Sequence, residues 1–220
     1  MSKSHLEAIV WDLDGVIADT AEYHYQAWRE VLGKRGVEFS RADFMPLFGR
    51  RHDAIIKFVL GNGLSKRELE TISEEKQQSY RRRLVGNVRS MPGAVELIKS
   101  LNEYGLKQAI ASSAVPENIE IVIKELGIAD CFQAIINGME VEEGKPDPQI
   151  FRLAAKRLKV KSENCTVIED AIAGVAAAKQ AGMKCIAVTN SHPKNRLKNA
   201  DIVVGNLGKI GIFDLQKLYS

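Results

Sequence analysis

The chain has 220 residues, 45% of them hydrophobic and 27% charged, enough for one sizeable core with a smaller module beside it. Its 31 Lys and Arg against 28 Asp and Glu leave a net charge of +3, too small to argue for a nucleic-acid partner, and Arg81-Arg82-Arg83 reads as a solvated helix face. Cys131, Cys165 and Cys185 are odd in number and lie in or beside apolar runs, so they read as buried free thiols in a reducing cytoplasm. The first apolar run is too short for a signal core or a membrane span, and the expectation is a soluble, cytoplasmic monomer.

That first run, Ala8-Ile9-Val10-Trp11, passes straight into Asp12-Leu13-Asp14-Gly15-Val16-Ile17-Ala18-Asp19-Thr20. It predicts a buried parallel strand whose carboxyl end opens into a site. On an extended backbone Asp12 and Asp14 project to the same side, and carboxylates that close repel unless a proton or cation sits between them. Oxygen ligands with no His or Cys nearby suit a hard cation, Mg²⁺ above others; the alternative is a pair of ordinary turn residues.

From about Thr20 to Val88 the pattern is helical only. Tyr25, Trp28, Val31 and Leu32 share one face; Ile55, Ile56, Val59 and Leu60 share another, stopping at Gly61-Asn62-Gly63; a polar helix follows over about Ser65 to Leu84. After Met91-Pro92-Gly93 helices and strands alternate. Helices are predicted over Ala94 to Tyr104, Asn118 to Leu126, Gln149 to Leu158 and Gly174 to Ala181, with Gly105, Gly127 and Gly182 as stops and Asp147 and Pro148 as N-cap and first residue of the third. Strands are predicted over Leu106 to Ala111, Ala134 to Ile136, Thr166 to Ile168, Lys184 to Val188 and Asp201 to Val204. Alternation of this kind predicts an α/β core with a Rossmann-like parallel sheet, residues 1–19 and 89–220. The helical stretch, residues 20–88, is then an insertion after the first strand, expected to cap the strand ends and set specificity.

Three further segments end in polar groups: Ser112-Ser113 after the second strand, Lys145 in Lys145-Pro146-Asp147-Pro148, and Glu169-Asp170 after the fourth. With Asp12-x-Asp14-Gly15, these resemble the four motifs of the haloacid dehalogenase superfamily of phosphotransferases, in order and over essentially the whole chain. The resemblance implies Asp12 as nucleophile, Asp14 as general acid/base, Ser112 as a donor to phosphoryl oxygens and Lys145 as counter-cation. It also implies a Mg²⁺ site at Asp12, Asp14, Glu169 and Asp170. The second aspartate suits loss of an alkoxide, which needs a proton, rather than loss of a halide, which does not.

Within the superfamily the chain resembles the β-phosphoglucomutase-like and phosphatase branch. That likeness implies substrate contacts from Thr20, His24 and Trp28, spaced by four along one helix side, from Arg51 and Lys76 in the insertion, and from Gly15, Ser113 and Asn118 in the core. One departure stands out. The mutases follow the motif serine with Ser-Lys-Asn, whereas this chain reads Ser113-Ala114-Val115-Pro116-Glu117-Asn118, with a carboxylate in place of the lysine. The expectation is therefore a Mg²⁺-dependent phosphatase of small phosphorylated metabolites such as sugar phosphates, acting through an aspartyl-phosphate. The alternative is a β-phosphoglucomutase interconverting β-glucose 1-phosphate and glucose 6-phosphate.

Overall fold

Residues 5–220 are described in a computed structural model of the protein. The chain divides into two compact units, one formed by the chain up to Asp19 together with Arg89–Ser220, the other by Thr20–Val88. The first holds a six-stranded parallel sheet: β1 (Ala8–Trp11), β2 (Lys107–Ala111), β3 (Ala134–Ile136), β4 (Cys165–Glu169), β5 (Lys184–Val188) and β6 (Ile202–Val204), in the order β3-β2-β1-β4-β5-β6. The chain moves outward from β1 to β3, then returns to lay β4 against the other side of β1. That reversal opens a crevice at the carboxyl ends of β1 and β4.

Both faces of the central strands are buried, which is why they read as unbroken apolar runs rather than alternating ones. Val10, Ala109, Val167 and Cys185 pack on one face with Phe151, Ala154 and Leu158 of α7 (Gln149–Leu158) and Ala177 and Ala178 of α8 (Ile172–Gln180). Trp11 and Gln108 are also fully buried, and they satisfy each other. Trp11 Nε1 donates to Gln108 Oε1 at 2.9 Å, while Gln108 Nε2 donates to the Ile98 carbonyl at 2.9 Å. Pairing is needed because a buried amide without partners costs about 1–3 kcal/mol.

Helices α5 (Ala94–Glu103) and α6 (Pro116–Glu125) complete the predicted set, and Gly105, Gly127 and Gly182 follow α5, α6 and α8. Each stop closes a bond across the last turn, as from Ile128 N to the Ile123 carbonyl at 3.0 Å. The start of α7 differs from expectation by one residue. Pro148, not Asp147, is the N-cap, because its carbonyl accepts the first helical bond, from Arg152 N at 3.0 Å; Asp147 Oδ1 still accepts from Gln149 N at 2.8 Å. A terminal helix, α9 (Ile212–Gln216), was not predicted, since five residues carry too little periodicity to read.

The second unit contains α1 (Ala21–Gly33), the short α2 (Arg41–Phe44), α3 (His52–Leu60) and α4 (Lys66–Leu84). Trp28, Val31 and Leu32 of α1 join Phe44, Ile55, Ile56 and Ile72 in its apolar core. A capping box at Ser65 and Glu68 starts α4. The polar character of α4 hides an inward face: Lys76, Gln77, Ser79 and Tyr80 are all buried. The arginine run is likewise not a merely solvated face. Arg82 and Arg83 reach Glu30 of α1 at 3.2 and 2.8 Å, because a carboxylate faces α4 there.

Candidate active site

The sheet register brings the motif residues together. Trp11 pairs with Ile110 on one side and Ile168 on the other, so the residues just beyond them emerge at the same level. Asp12 N donates to the Ile168 carbonyl at 3.0 Å, and Ser112 N to the Ile136 carbonyl at 3.0 Å. Asp12, Ser112, Glu169 and Asp170 are all buried.

Lys145 comes from the loop ahead of α7. Its Nζ donates to Asp12 Oδ1 and to Glu169 Oε1, both at 2.6 Å, and lies 4.9 Å from the centre of the Phe151 ring. Burial opposes the lysine's charge, but Asp12 and Glu169 outweigh it and hold the pKa above the usual lysine value. The other oxygen of Glu169 accepts from Asp170 N and Ala171 N at 2.8 Å each. Gly174 makes room for this carboxylate: a Cβ there would stand 1.7 Å from Glu169 Oε1.

Burial pushes Asp12 up to about 7, with Glu169 and Asp14 adding to the rise and Lys145 opposing it. Asp170 is held well above the usual carboxylate range, by burial first and then by Glu169 and Asp12. Ligand oxygens of Asp12, Glu169 and Asp170 lie within 4.8 Å of one another. One ammonium facing three buried carboxylates leaves a deficit of positive charge, and an all-oxygen set suits a hard divalent cation. The residues present therefore fit Mg²⁺.

Asp14 lies outside that three-carboxylate group, although its charge is felt at Asp12. The backbone does not stay extended past Leu13: it turns, with Gly15 N donating to the Ala18 carbonyl at 2.9 Å and Ile17 N to Leu13 at 2.9 Å. Gly15 takes a φ of +82° at this turn. Ser112 Oγ accepts from Ala114 N at 3.1 Å, Ser113 is half-buried, and Asn118 is buried in the first turn of α6 beside an exposed Glu117.

In the helical unit His24, Trp28 and Lys76 also meet. The fully buried Lys76 places its Nζ 2.7 Å from His24 Nδ1 and over the Trp28 and Tyr80 rings, at 5.6 and 4.7 Å from their centres. His52 was not singled out in the sequence. Its Nε2 lies 3.1 Å from Lys76 Nζ, and burial, then the Lys76 charge, holds its pKa well below the usual imidazole value. Thr20 is the buried N-cap residue of α1. Arg51 precedes α3 and pairs with Asp53 at 3.3 Å.

A family profile described as haloacid dehalogenase-like hydrolase matches residues 6–182. The chain belongs to this family. It is 34% identical over 208 residues to the β-phosphoglucomutase of Bacillus subtilis, covering 90% of this chain and 89% of that one. It is 30% identical over 181 residues to the fructose-1-phosphate phosphatase YqaB of Escherichia coli, covering 82% and 95%. Among solved structures, the β-phosphoglucomutase of Clostridium difficile superposes with a TM-score of 0.89 at 32% identity, covering 97% of both chains. Enzymes of phosphoryl transfer, a phosphatase and mutases alike, are thus among the proteins it resembles.

Proposed function

We propose that this family member is a Mg²⁺-dependent phosphatase of small phosphorylated metabolites, sugar phosphates foremost, working in the cytoplasm through an aspartyl-phosphate on Asp12. The observation that carries the choice of hydrolysis is the run after Ser112. Its charged residue is Glu117, exposed in the first turn of α6, where a mutase would place a cation for the second phosphate of a bisphosphate. A carboxylate there repels a phosphate.

In this reading Lys145 holds Asp12 Oδ1 and favours its carboxylate form against the pull of burial, leaving Oδ2 to attack phosphorus. The P–O ester bond breaks as Asp14 gives its proton to the departing alkoxide. Water then attacks the aspartyl-phosphate, Asp14 takes its proton, and Asp12 leaves as carboxylate with inorganic phosphate released. Ser112 donates to a phosphoryl oxygen. Asp12, Glu169 and Asp170 would hold the cation, with Asp14 adding charge from outside the group. When bound, the cation supplies positive charge to the non-bridging oxygens of the transferring group. Thr20, His24, Trp28, Arg51 and Lys76 of the helical unit, with Gly15, Ser113 and Asn118 of the core, are proposed to select the substrate.

A mutase activity is the second reading, supported by the 34% identity to the Bacillus subtilis β-phosphoglucomutase and by the cluster of His24, Trp28 and Lys76. Phosphorus NMR on β-glucose 1-phosphate with Mg²⁺, with and without bisphosphate primer, separates the two, run beside a phosphate-release panel of sugar phosphates. Hydrolysis predicts free phosphate from the best substrate without primer and no transient glucose 6-phosphate. Glucose 6-phosphate accumulating faster than free phosphate overturns it in favour of the mutase, and Arg51→Ala would then impair that turnover severely.

A further inference from the structure

The chain beyond β5 reads Thr189-Asn190-Ser191-His192, and no signal in the sequence set it apart. In the fold it arrives at the same crevice, since β5 lies beside β4 with Glu169 opposite Ala187. Ser191 Oγ donates to Asp170 Oδ2. Asn190 Nδ2 donates to the Gly15 carbonyl at 2.7 Å, and so holds the turn that follows Asp12 and Asp14. The two contacts converge, because Gly15 itself abuts Asp170. A Cβ on Gly15 would lie 2.1 Å from Asp170 Oδ2 and 3.2 Å from Ser191 Oγ. The loop after β5 therefore touches both halves of the acidic site, one residue on each.

We propose that Asn190 and Ser191 form a clamp that aims Asp170 at a divalent cation, with Ser191 as the positioning residue. This rests on the metal-dependent reading above. The physical reason is that a carboxylate turns freely about its last torsion unless something holds one oxygen. A hydroxyl donor on Oδ2 fixes the plane of the carboxylate and leaves Oδ1 with its lone pairs for the cation. Asn190 does the same for the backbone, anchoring the peptide of Gly15 so that the nucleophile's turn and the carboxylate of Asp170 keep one spacing. A group that orients a metal ligand from behind typically contributes ten- to a hundredfold in metal affinity.

The test is Mg²⁺ binding to the metal-free full-length protein, by titration calorimetry and by the rise in Tm that Mg²⁺ produces. Ser191→Ala should bind Mg²⁺ about tenfold more weakly than wild type, with the Tm of the metal-free protein little changed. Ser191→Thr, which keeps the hydroxyl, should restore affinity to within about threefold of wild type. Should Ser191→Ala not fold, Ser191→Cys reads the same quantity, since a thiol is a weak donor. Wild-type affinity in the variant lacking the hydroxyl overturns the clamp, as does a Ser191→Thr protein that binds as weakly as Ser191→Ala. If wild-type protein binds no Mg²⁺, the metal-dependent reading itself fails and the clamp falls with it, an outcome distinct from equal binding by both proteins.

Discussion

Lys145 is the positive charge set among the buried carboxylates of the crevice, and its two contacts of 2.6 Å decide what each neighbour does. Glu169, tied to the lysine at one oxygen and to two backbone N–H groups at the other, is held against α8 by the missing side chain of Gly174. Among the described residues the Asp12 carboxylate is bonded at Oδ1, by Lys145, which suits the proposed attack from its other oxygen. Asp12→Asn should therefore fold yet lose activity at least about a hundredfold, because an amide neither attacks phosphorus nor carries charge to the metal. Phosphate release at saturating substrate measures this. Retention of more than about one hundredth of wild-type activity would remove Asp12 as the nucleophile.

At the scale of elements, the join between α1 and α4 is electrostatic as well as apolar. Glu30 accepts from Ser79 Oγ at 2.7 Å, Arg83 at 2.8 Å, Lys34 at 3.1 Å and Arg82 at 3.2 Å. The Ser79 hydrogen bond, then that of Arg83, outweighs burial and draws the Glu30 pKa down to about 2. A carboxyl whose pKa is lowered by folding stabilises fully above its unfolded value near 4.5, and that contribution is lost as pH falls towards about 2. Urea unfolding should accordingly find wild type more stable than Glu30→Gln at neutral pH, with the gap shrinking between about pH 4.5 and pH 2. A gap independent of pH would show that the Glu30 charge does not tie the helices together.

For the whole molecule the deciding quantity is charge balance. Asp12 is pushed up to about 7 and Asp170 well above the carboxylate range, so the site favours taking up protons or a cation. Removing divalent cations with EDTA should abolish phosphate release, and adding Mg²⁺ in excess should restore it. Undiminished turnover in chelator would sink the metal assignment. Among the described residues no helix is long and apolar enough to cross a membrane. Cys131, Cys165 and Cys185 are free and buried, and burial raises all three thiols, that of Cys165 to about 12, so none is poised as a nucleophile at neutral pH.

The α/β class was legible because parallel strands buried on both faces must be apolar throughout, and because the helices between them end at glycines. The motif acids were legible for a related reason: a carboxylate at the end of an apolar run has little local cause to be there. Neither argument reaches residues whose role depends on contacts far along the chain. Ser191 and Asn190 look like any polar loop, and only the pairing of β5 with β4 sets them against Asp170 and Gly15. Lys76 and His52 are ordinary surface-type residues on helices α4 and α3. Only the helix packing buries the lysine against two imidazoles and two aromatic rings. Local pattern reports which face of an element avoids water; which distant side chains then share that dry space is a property of tertiary packing alone.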